Sequence, residues 1–322
     1  MNAPTSVADA ATALHEHGGE ARAGGTDVTA RLHGGRATGP FVDLHRLPDL
    51  RGTAFGDDGS VRIGAMTTIA EIAGDPRLRA GHPALTATAG ALATPQIRTA
   101  GTLGGNLLQR NRCWYYRNPA FSCFQTGGDS CPAREGANLY SAVIDQGPCV
   151  APHPSSMALA LLAYDATVAV HGAGPMAVRD LYGDGSDPTR DHRLDPGGLL
   201  LAVDLPAPAP GETAAYHRAT GRSRAEWPLV EAVARLVVDS DGVVGDVAVA
   251  AGAVARTPVR LHEVEEALTG RPATPESVDG ALTPLSARCS PLAQNAYKVG
   301  LLTETVREVL ERALEADGET PR

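Results

Sequence analysis

The sequence predicts an α+β protein built from two units, and three observations carry that prediction. Segments with apolar residues every three or four positions alternate with short runs of strand character along the whole chain. A proline-rich run, Pro206-Ala207-Pro208-Ala209-Pro210, interrupts them in the manner of a linker. The 322 residues, 43% of them apolar, also exceed what one small core needs. With 36 glycines and 24 prolines in no repeating period, the units are expected to be rich in turns.

Val7, Ala10, Ala11 and Leu14 share one helical face that Gly18-Gly19 ends. A second short helix runs through Leu32 to Gly34-Gly35, and Phe41 to Leu44 reads as a strand, which makes a βαβ-like unit. Ser60 to Ala65 is a further strand, followed by a helix through Ile72 with Thr67 or Thr68 as its N-cap. Thr86 to Ala93 is a helix of small residues, too poor in bulk for a free surface helix and expected to pack inside. From Thr94 to Pro154 the chain turns aromatic and Arg-rich and is broken by Gly and Pro, the kind of long irregular segment that is usually functional. A helix over Met157 to Tyr164 and strands over Ala166 to His171 and Leu199 to Leu205 complete the first unit. In the second, Tyr216 to Arg218, Leu229 to Val238 and Val243 to Ala251 form a small sheet with a hairpin turn at Asp239 to Gly242. Helices are expected over Val259 to Leu268 and Ala296 to Leu314.

Net charge is −9 and Lys298 is the single lysine, so the basic footprint of a nucleic-acid binder is missing and an anionic membrane is a poor partner. No apolar run approaches the roughly 20 residues that span a bilayer. The opening residues lack the basic and apolar regions of a secretory signal, so the chain is expected to be cytoplasmic, carried elsewhere only with a partner subunit. No Ser/His/Asp arrangement, HExxH helix or close carboxylate pair occurs at usable spacing.

Two glycine loops precede helices: Ala23-Gly24-Gly25-Thr26-Asp27 and Thr99-Ala100-Gly101-Thr102-Leu103-Gly104-Gly105-Asn106. Glycine lets backbone approach a diphosphate, and N–H groups at a helix start donate to anionic oxygens. Neither loop is a GxGxxG or a P-loop with its lysine, which disfavours an ordinary NAD fold or an NTPase. A lone GG pair more often marks only a tight turn.

Four of the five cysteines, Cys113, Cys123, Cys131 and Cys149, fall in the irregular segment, with nine, seven and 17 residues between them. That spacing disfavours structural zinc, which prefers pairs two to four residues apart. An iron-sulfur cluster accepts four thiolates from distant points of a loop, and Arg110, Arg112 and Arg117 are near enough in sequence to offset its negative charge. Zinc and unrelated thiols stay open as alternatives. His153, between two prolines, reads as a turn residue, and Trp114, Tyr115 and Tyr116 as packing for the segment.

The order AGGTD, VRIGAMTT from Val61 to Thr68, Gln96-Ile97-Arg98 and GTLGGN resembles the FAD-binding medium subunit of the molybdenum hydroxylases, the family of xanthine dehydrogenase and carbon monoxide dehydrogenase. Asp43 to Leu50, His153 to Ser156, Leu199 to Pro206, Ala251 to Val254 and Tyr297-Lys298 extend the resemblance over nearly the whole chain. It implies an FAD-binding fold of the vanillyl-alcohol-oxidase type in two subdomains over 1–210, and a C-terminal α+β domain of the carbon monoxide dehydrogenase flavoprotein type over 211–322. Carried over, Ala23, Gly24, Gly25, Thr26, Asp27 and Val28 would hold the FAD diphosphate. Thr102, Gly104, Gly105 and Asn106 would line the second loop. Leu200, Arg218 and nearby Arg222 match positions flanking the flavin. The departures are Arg22, where the family has an apolar residue, and Ser156, where it has an Asp near the ribose.

The aldehyde oxidoreductases of the periplasmic bacterial type within this family carry a 4Fe-4S cluster in an insertion after GGN. Resemblance to them implies an insertion over about 107–152 with Cys113, Cys123, Cys131 and Cys149 as ligands and Cys289 as an ordinary thiol. It further implies an oxidoreductase that passes electrons from a 2Fe-2S small subunit, fed by a molybdopterin-binding large subunit, through FAD to an external acceptor. A stand-alone flavin oxidase is disfavoured by the missing acid-base signature, and a subunit that has lost FAD by the intact loops. The purified chain is expected to be yellow, and Gly25→Trp or Gly104→Trp to remove the flavin absorption, because a large side chain blocks backbone approach to the diphosphate.

Overall fold

The computed structural model describes residues 3–318. Its first helix, Val7–His17, starts at a Ser6 cap and ends at Gly18 in left-handed geometry (φ 55°). Strands β1 (Glu20–Arg22) and β2 (Phe41–Asp43) pair in parallel across the helix Thr26–His33, so the expected βαβ unit forms. Three non-contiguous pieces of chain build the next sheet: β3 (Thr53–Phe55), β4 (Val61–Gly64), β5 (Thr167–Val170), β6 (Met176–Ala177) and β7 (Leu200–Leu205), in the order β3-β4-β7-β5-β6. The third sheet takes β8 (Glu212–Ala219), β9 (Val230–Val238), β10 (Val244–Gly252) and β11 (Val259–Arg260) in the order β11-β10-β9-β8, all antiparallel. Asp239 makes the hairpin between β9 and β10, its carboxylate accepting from the N–H groups of Asp241 and Val243.

Most elements fall where periodicity places them. The cap before Ile69–Gly74 is Thr68, closed reciprocally by Glu71. The expected helix over Val259 to Leu268 is corrected: Val259 and Arg260 pair with Ala251 and Ala250 as β11, and the helix is only His262–Leu268. A two-residue edge strand followed by a helix has too little sequence of its own to break a helical pattern. Three short helices that start on Pro, Pro76–Gly81, Pro95–Ala100 and Pro275–Leu282, carry no long apolar stripe and escape the sequence reading.

Helix Ser156–Ala163 is buried at all eight positions and joins the two units, packing on the helices Pro83–Ala91 and Leu103–Leu107 and on β9 and β10. Burial of each Leu or Met there is worth about 1.5–3 kcal/mol, which makes this helix a main fastening between them. The small-residue helix Pro83–Ala91 is internal, as expected, with Ala84, Leu85, Thr88 and Ala89 inaccessible. The C-terminal helix Tyr297–Gly318 lies across β8 and β9. Among the described residues no helix is long and apolar enough to cross a membrane.

The segment expected to be irregular from Thr94 is corrected at its start, which holds the helices Pro95–Ala100 and Leu103–Leu107; beyond them it holds only short turns of helix, Trp114–Arg117 and Phe124–Thr126, and residues 127–155 form neither helix nor strand. Tertiary contacts replace regular structure there. Gln294 and Asn138 exchange two hydrogen bonds (2.9 and 3.0 Å), Asn295 Nδ2 donates to the carbonyls of Ser141 and Ala142, and Tyr297 donates to that of Leu139. Lys298, 1% exposed, donates from one ammonium to the carbonyls of Tyr140 (3.3 Å), Ser141 (3.2 Å) and Ala253 (2.8 Å). A compact ammonium with three donors suits three converging carbonyls better than a planar guanidinium, which accounts for one lysine in a chain whose other long cations are arginines. Lys298→Met leaves those carbonyls short of donors and is expected to lower unfolding stability by about 1–3 kcal/mol in urea titration.

Candidate functional site

The two glycine loops meet because the second is tied to the residues just after β4 and the first packs against the second. The second loop is corrected in one respect, since its Leu103 to Asn106 form the start of the helix Leu103–Leu107; Leu103 N donates to the Thr67 carbonyl and Gly104 N to that of Ala65, while Ala65 N donates to Leu201 O in β7. The first loop then packs on the second so closely that a Cβ on Gly24 would fall on the Ala100 carbonyl. Gly25 sits at φ 73° as the N-cap of Thr26–His33, with no side chain capping that helix. Its first N–H groups, lacking intrahelical partners, open into the cleft between the loops.

That cleft consists of two adjoining cavities of about 380 and 510 Å3. Ala23, Gly24, Gly25, Thr26, Asp27, Val28, Thr102, Gly104, Gly105 and Leu200 line the first. Thr26, Asp27, Thr102, Gly105, Asn106 and Arg218 line the second. The structure does not bring Ser156 to either cavity. It is fully buried in the helix whose cap is Ser155, and its Oγ, without a hydrogen bond of its own, lies beside the Glu231 carboxylate and the Tyr216 hydroxyl. Ser155, besides capping, donates to Asn106 Oδ1 at 2.6 Å.

Asp27 is less a free acceptor than a clamp. Its Oδ2 accepts from Arg31 Nε (2.9 Å) and the Arg110 N–H (3.3 Å), and its Oδ1 from Arg117 Nη2 (2.8 Å) and from Arg112. Burial pushes this carboxyl up, but Arg112 and Arg117 outweigh that and hold it well below the usual carboxylate range. Arg31 also pairs with Glu20. Three guanidinium groups against two carboxylates leave one positive charge at the first loop, which suits a diphosphate.

Sequence reading misses Asp191, His192 and Arg36, which lie in loops without periodicity. Asp191 is buried and accepts from Arg110 (2.7 Å), Arg256 (2.6 Å) and Gln125 (2.8 Å), pinning the irregular segment to the C-terminal unit. Arg110, Arg112 and Arg117 are therefore spent on carboxylates rather than turned to the thiols. Three buried polar atoms with no hydrogen-bond partner, His192 Nδ1, Arg36 Nε and Arg218 Nε, belong to residues that line the cleft. Buried polar atoms are normally paired, so these fit a polar ligand that completes them.

Cys113, Cys123, Cys131 and Cys149 all line one small space of about 10 Å3, with Tyr115, Phe124 and Gln125 among its other walls. Backbone N–H groups near the sulfurs favour their ionised forms: those of Tyr115 and Tyr116 near Cys113, of Ala133, Arg134 and Val150 near Cys131, and of Ala151 near Cys149. Cys131 and Cys149 lie side by side, and their mutual interaction pulls the Cys131 thiol well below its usual range and, with burial, pushes that of Cys149 up. Among the described residues no three His, Cys, Asp or Glu converge closely enough to hold a single ion. The thiols surround a volume rather than a point. Cys289 is half-buried against the C-terminal core.

Two glycine loops facing each other beneath an open helix end make a dinucleotide cleft, and the comparisons with known proteins agree. The chain belongs to the family of the FAD-binding domain in molybdopterin dehydrogenase, which matches residues 1–208, and the CO dehydrogenase flavoprotein C-terminal domain matches residues 214–313. It is 32% identical over 264 residues to the aldehyde oxidoreductase FAD-binding subunit PaoB of Escherichia coli (strain K12), which covers 80% of this chain and 79% of that one. Identity to the carbon monoxide dehydrogenase medium chain of Afipia carboxidovorans is 28% over 316 residues, 97% and 94% of the two chains. The crystal structure of Cu,Mo-CO dehydrogenase in its cyanide-inactivated form shares the fold, with a TM-score of 0.77 at 24% identity over 98% and 96% of the two chains. The chain is thus an FAD-binding oxidoreductase subunit of the molybdenum hydroxylase type.

Asp27→Ala would strip three guanidinium groups of their shared partner. Breaking a buried pair in this way costs about 3–5 kcal/mol, and the expected loss of stability, measured by urea unfolding, lies at the lower end because Arg112 and Arg117 keep some solvent access. An unchanged midpoint would show that the clamp is not a fastening.

Proposed function

We propose that this chain is the FAD- and 4Fe-4S-carrying electron-transfer subunit of a molybdenum-dependent hydroxylase acting on aldehydes or aromatic heterocycles. The observation that carries the reading is the placement of all four insertion cysteines around one small space, joined to the first glycine loop through Arg112, Arg117 and Asp27. Residues 1–210 form the FAD-binding domain, with Ala23 to Val28 and Thr102 to Asn106 at the diphosphate and Leu200 and Arg218 beside the flavin. Residues 211–322 form the C-terminal domain. Bound FAD supplies two-electron chemistry, and the cluster one-electron chemistry. The chain's own part is to bind and orient them. The helix end at Thr26 and the surplus positive charge around Asp27 favour the diphosphate, and the backbone donors around the sulfurs favour an anionic cluster over neutral thiols. Its partners are a molybdopterin-binding large subunit and a 2Fe-2S small subunit, and the likeness to PaoB and to the carbon monoxide dehydrogenase medium chain supports that assembly.

Anaerobically purified chain is expected to contain one FAD and about four iron and four acid-labile sulfide. Serine at Cys113, Cys123, Cys131 or Cys149 should lose or damage the cluster absorption, and Cys289→Ser should retain it. Stoichiometric zinc without iron would sink the cluster assignment and leave the flavin assignment to the FAD content.

A further inference from the structure

A third cavity, of about 310 Å3, lies between the cofactor cleft and the cysteine space. It shares Arg112, Glu226, Trp227 and Pro228 with the cleft, and Cys113 and Tyr115 with the cysteine space. Four electron-rich rings form its walls: Trp114, Tyr115, Tyr140 and Trp227. Trp114 and Tyr140 meet edge to face at 5.2 Å, and Arg112 stacks over Trp227 at 4.6 Å. Trp114, Tyr140 and Trp227 are 56%, 48% and 45% exposed, far more than packing aromatics need, so each keeps ring surface free for a ligand, with one face of Trp227 taken by Arg112.

We propose that this cavity binds a neutral quinone of one or two rings as an electron acceptor. The volume lies within the range of small-molecule sites, about 300–1,000 Å3. A cage of electron-rich faces attracts a flat, electron-poor ring by quadrupole complementarity. Arg112 directs Nη1 to Asp27 and Nη2 to Gln109, which leaves its Nε–H as the donor in this wall, and a carbonyl oxygen is the matching acceptor. Glu226 at the same mouth disfavours an anion. The assignment as an acceptor rests on the flavoprotein reading above. Quinone takes up two electrons and two protons to become hydroquinone, and reduced flavin, which gives up the same electrons and protons as it is reoxidised, is the reductant.

Both tryptophans of the chain line this cavity, so tryptophan fluorescence reports on it directly. Menadione is titrated into the purified full chain, as isolated and after cofactor removal. Saturable quenching is expected with the same midpoint in both forms. Ala137→Phe, which fills the exposed rim, and Trp114→Leu, which removes one wall while Trp227 still reports, are each expected to raise that midpoint about tenfold. Quenching that never saturates, that is unchanged in both variants, or that appears only once the cofactor has left the cleft overturns the proposal. The titration does not require bound flavin, so a chain purified without FAD would fail the flavoprotein reading while the quinone site still stood or fell on its own midpoint.

Discussion

The Asp27 carboxylate joins two parts of the protein, and Arg36, whose Nη2 donates to the carbonyls of Asn118 and Phe121, adds a second tie between them. Asp27 stands in the first turn of the helix that follows the first glycine loop, and it accepts from Arg110, Arg112 and Arg117 at the start of the irregular segment. A segment that forms so little helix or strand cannot position itself through its own backbone ladder, so charge-assisted bonds to a rigid element do it instead. Asp191 repeats the device at the other side, drawing Arg110 and Gln125 toward Arg256 of the C-terminal unit. Both carboxylates sit among cations, Asp191 buried and Asp27 partly so, a costly arrangement for stability that specifies geometry.

The cleft depends on that geometry. Its two loops approach until Gly24 leaves no room for a Cβ against Ala100, and this contact closes only because the residues just after β4 anchor the second loop and the Asp27 clamp steadies the helix behind the first. Charge follows the same plan. The arginines that line the cleft exceed the carboxylates among them by one at the first loop, while the chain as a whole carries −9. The local field thus runs against the net charge, at the place where an anionic group would sit.

On the far side, the Gln294 to Lys298 stretch does for residues 138–142 what Asp27 does for residues 110–117. Lys298, Asn295 and Tyr297 donate to carbonyls that would belong to a strand or helix in an ordinary segment. Buried backbone carbonyls need partners, and here the C-terminal helix start supplies them. The cysteine space is held between these two grips, one from each unit.

By themselves, the residues determined the α+β class, the βαβ start, the hairpin at Asp239 to Gly242, the two glycine loops and the clustering of four cysteines. Those features are local: periodicity, turn chemistry and spacing act within a few residues of one another. Tertiary structure alone decided that Asp27 is a clamp, that Arg110, Arg112 and Arg117 face carboxylates rather than thiols, that Asp191 and Lys298 are buried fastenings, and that Ser156 lies beside Glu231 rather than on the cleft. It also turned Val259-Arg260 from helix to strand. In each of these cases the deciding partner lies distant in the chain, and a charged side chain in a loop carries no sign of which opposite charge will meet it until the fold has brought them together.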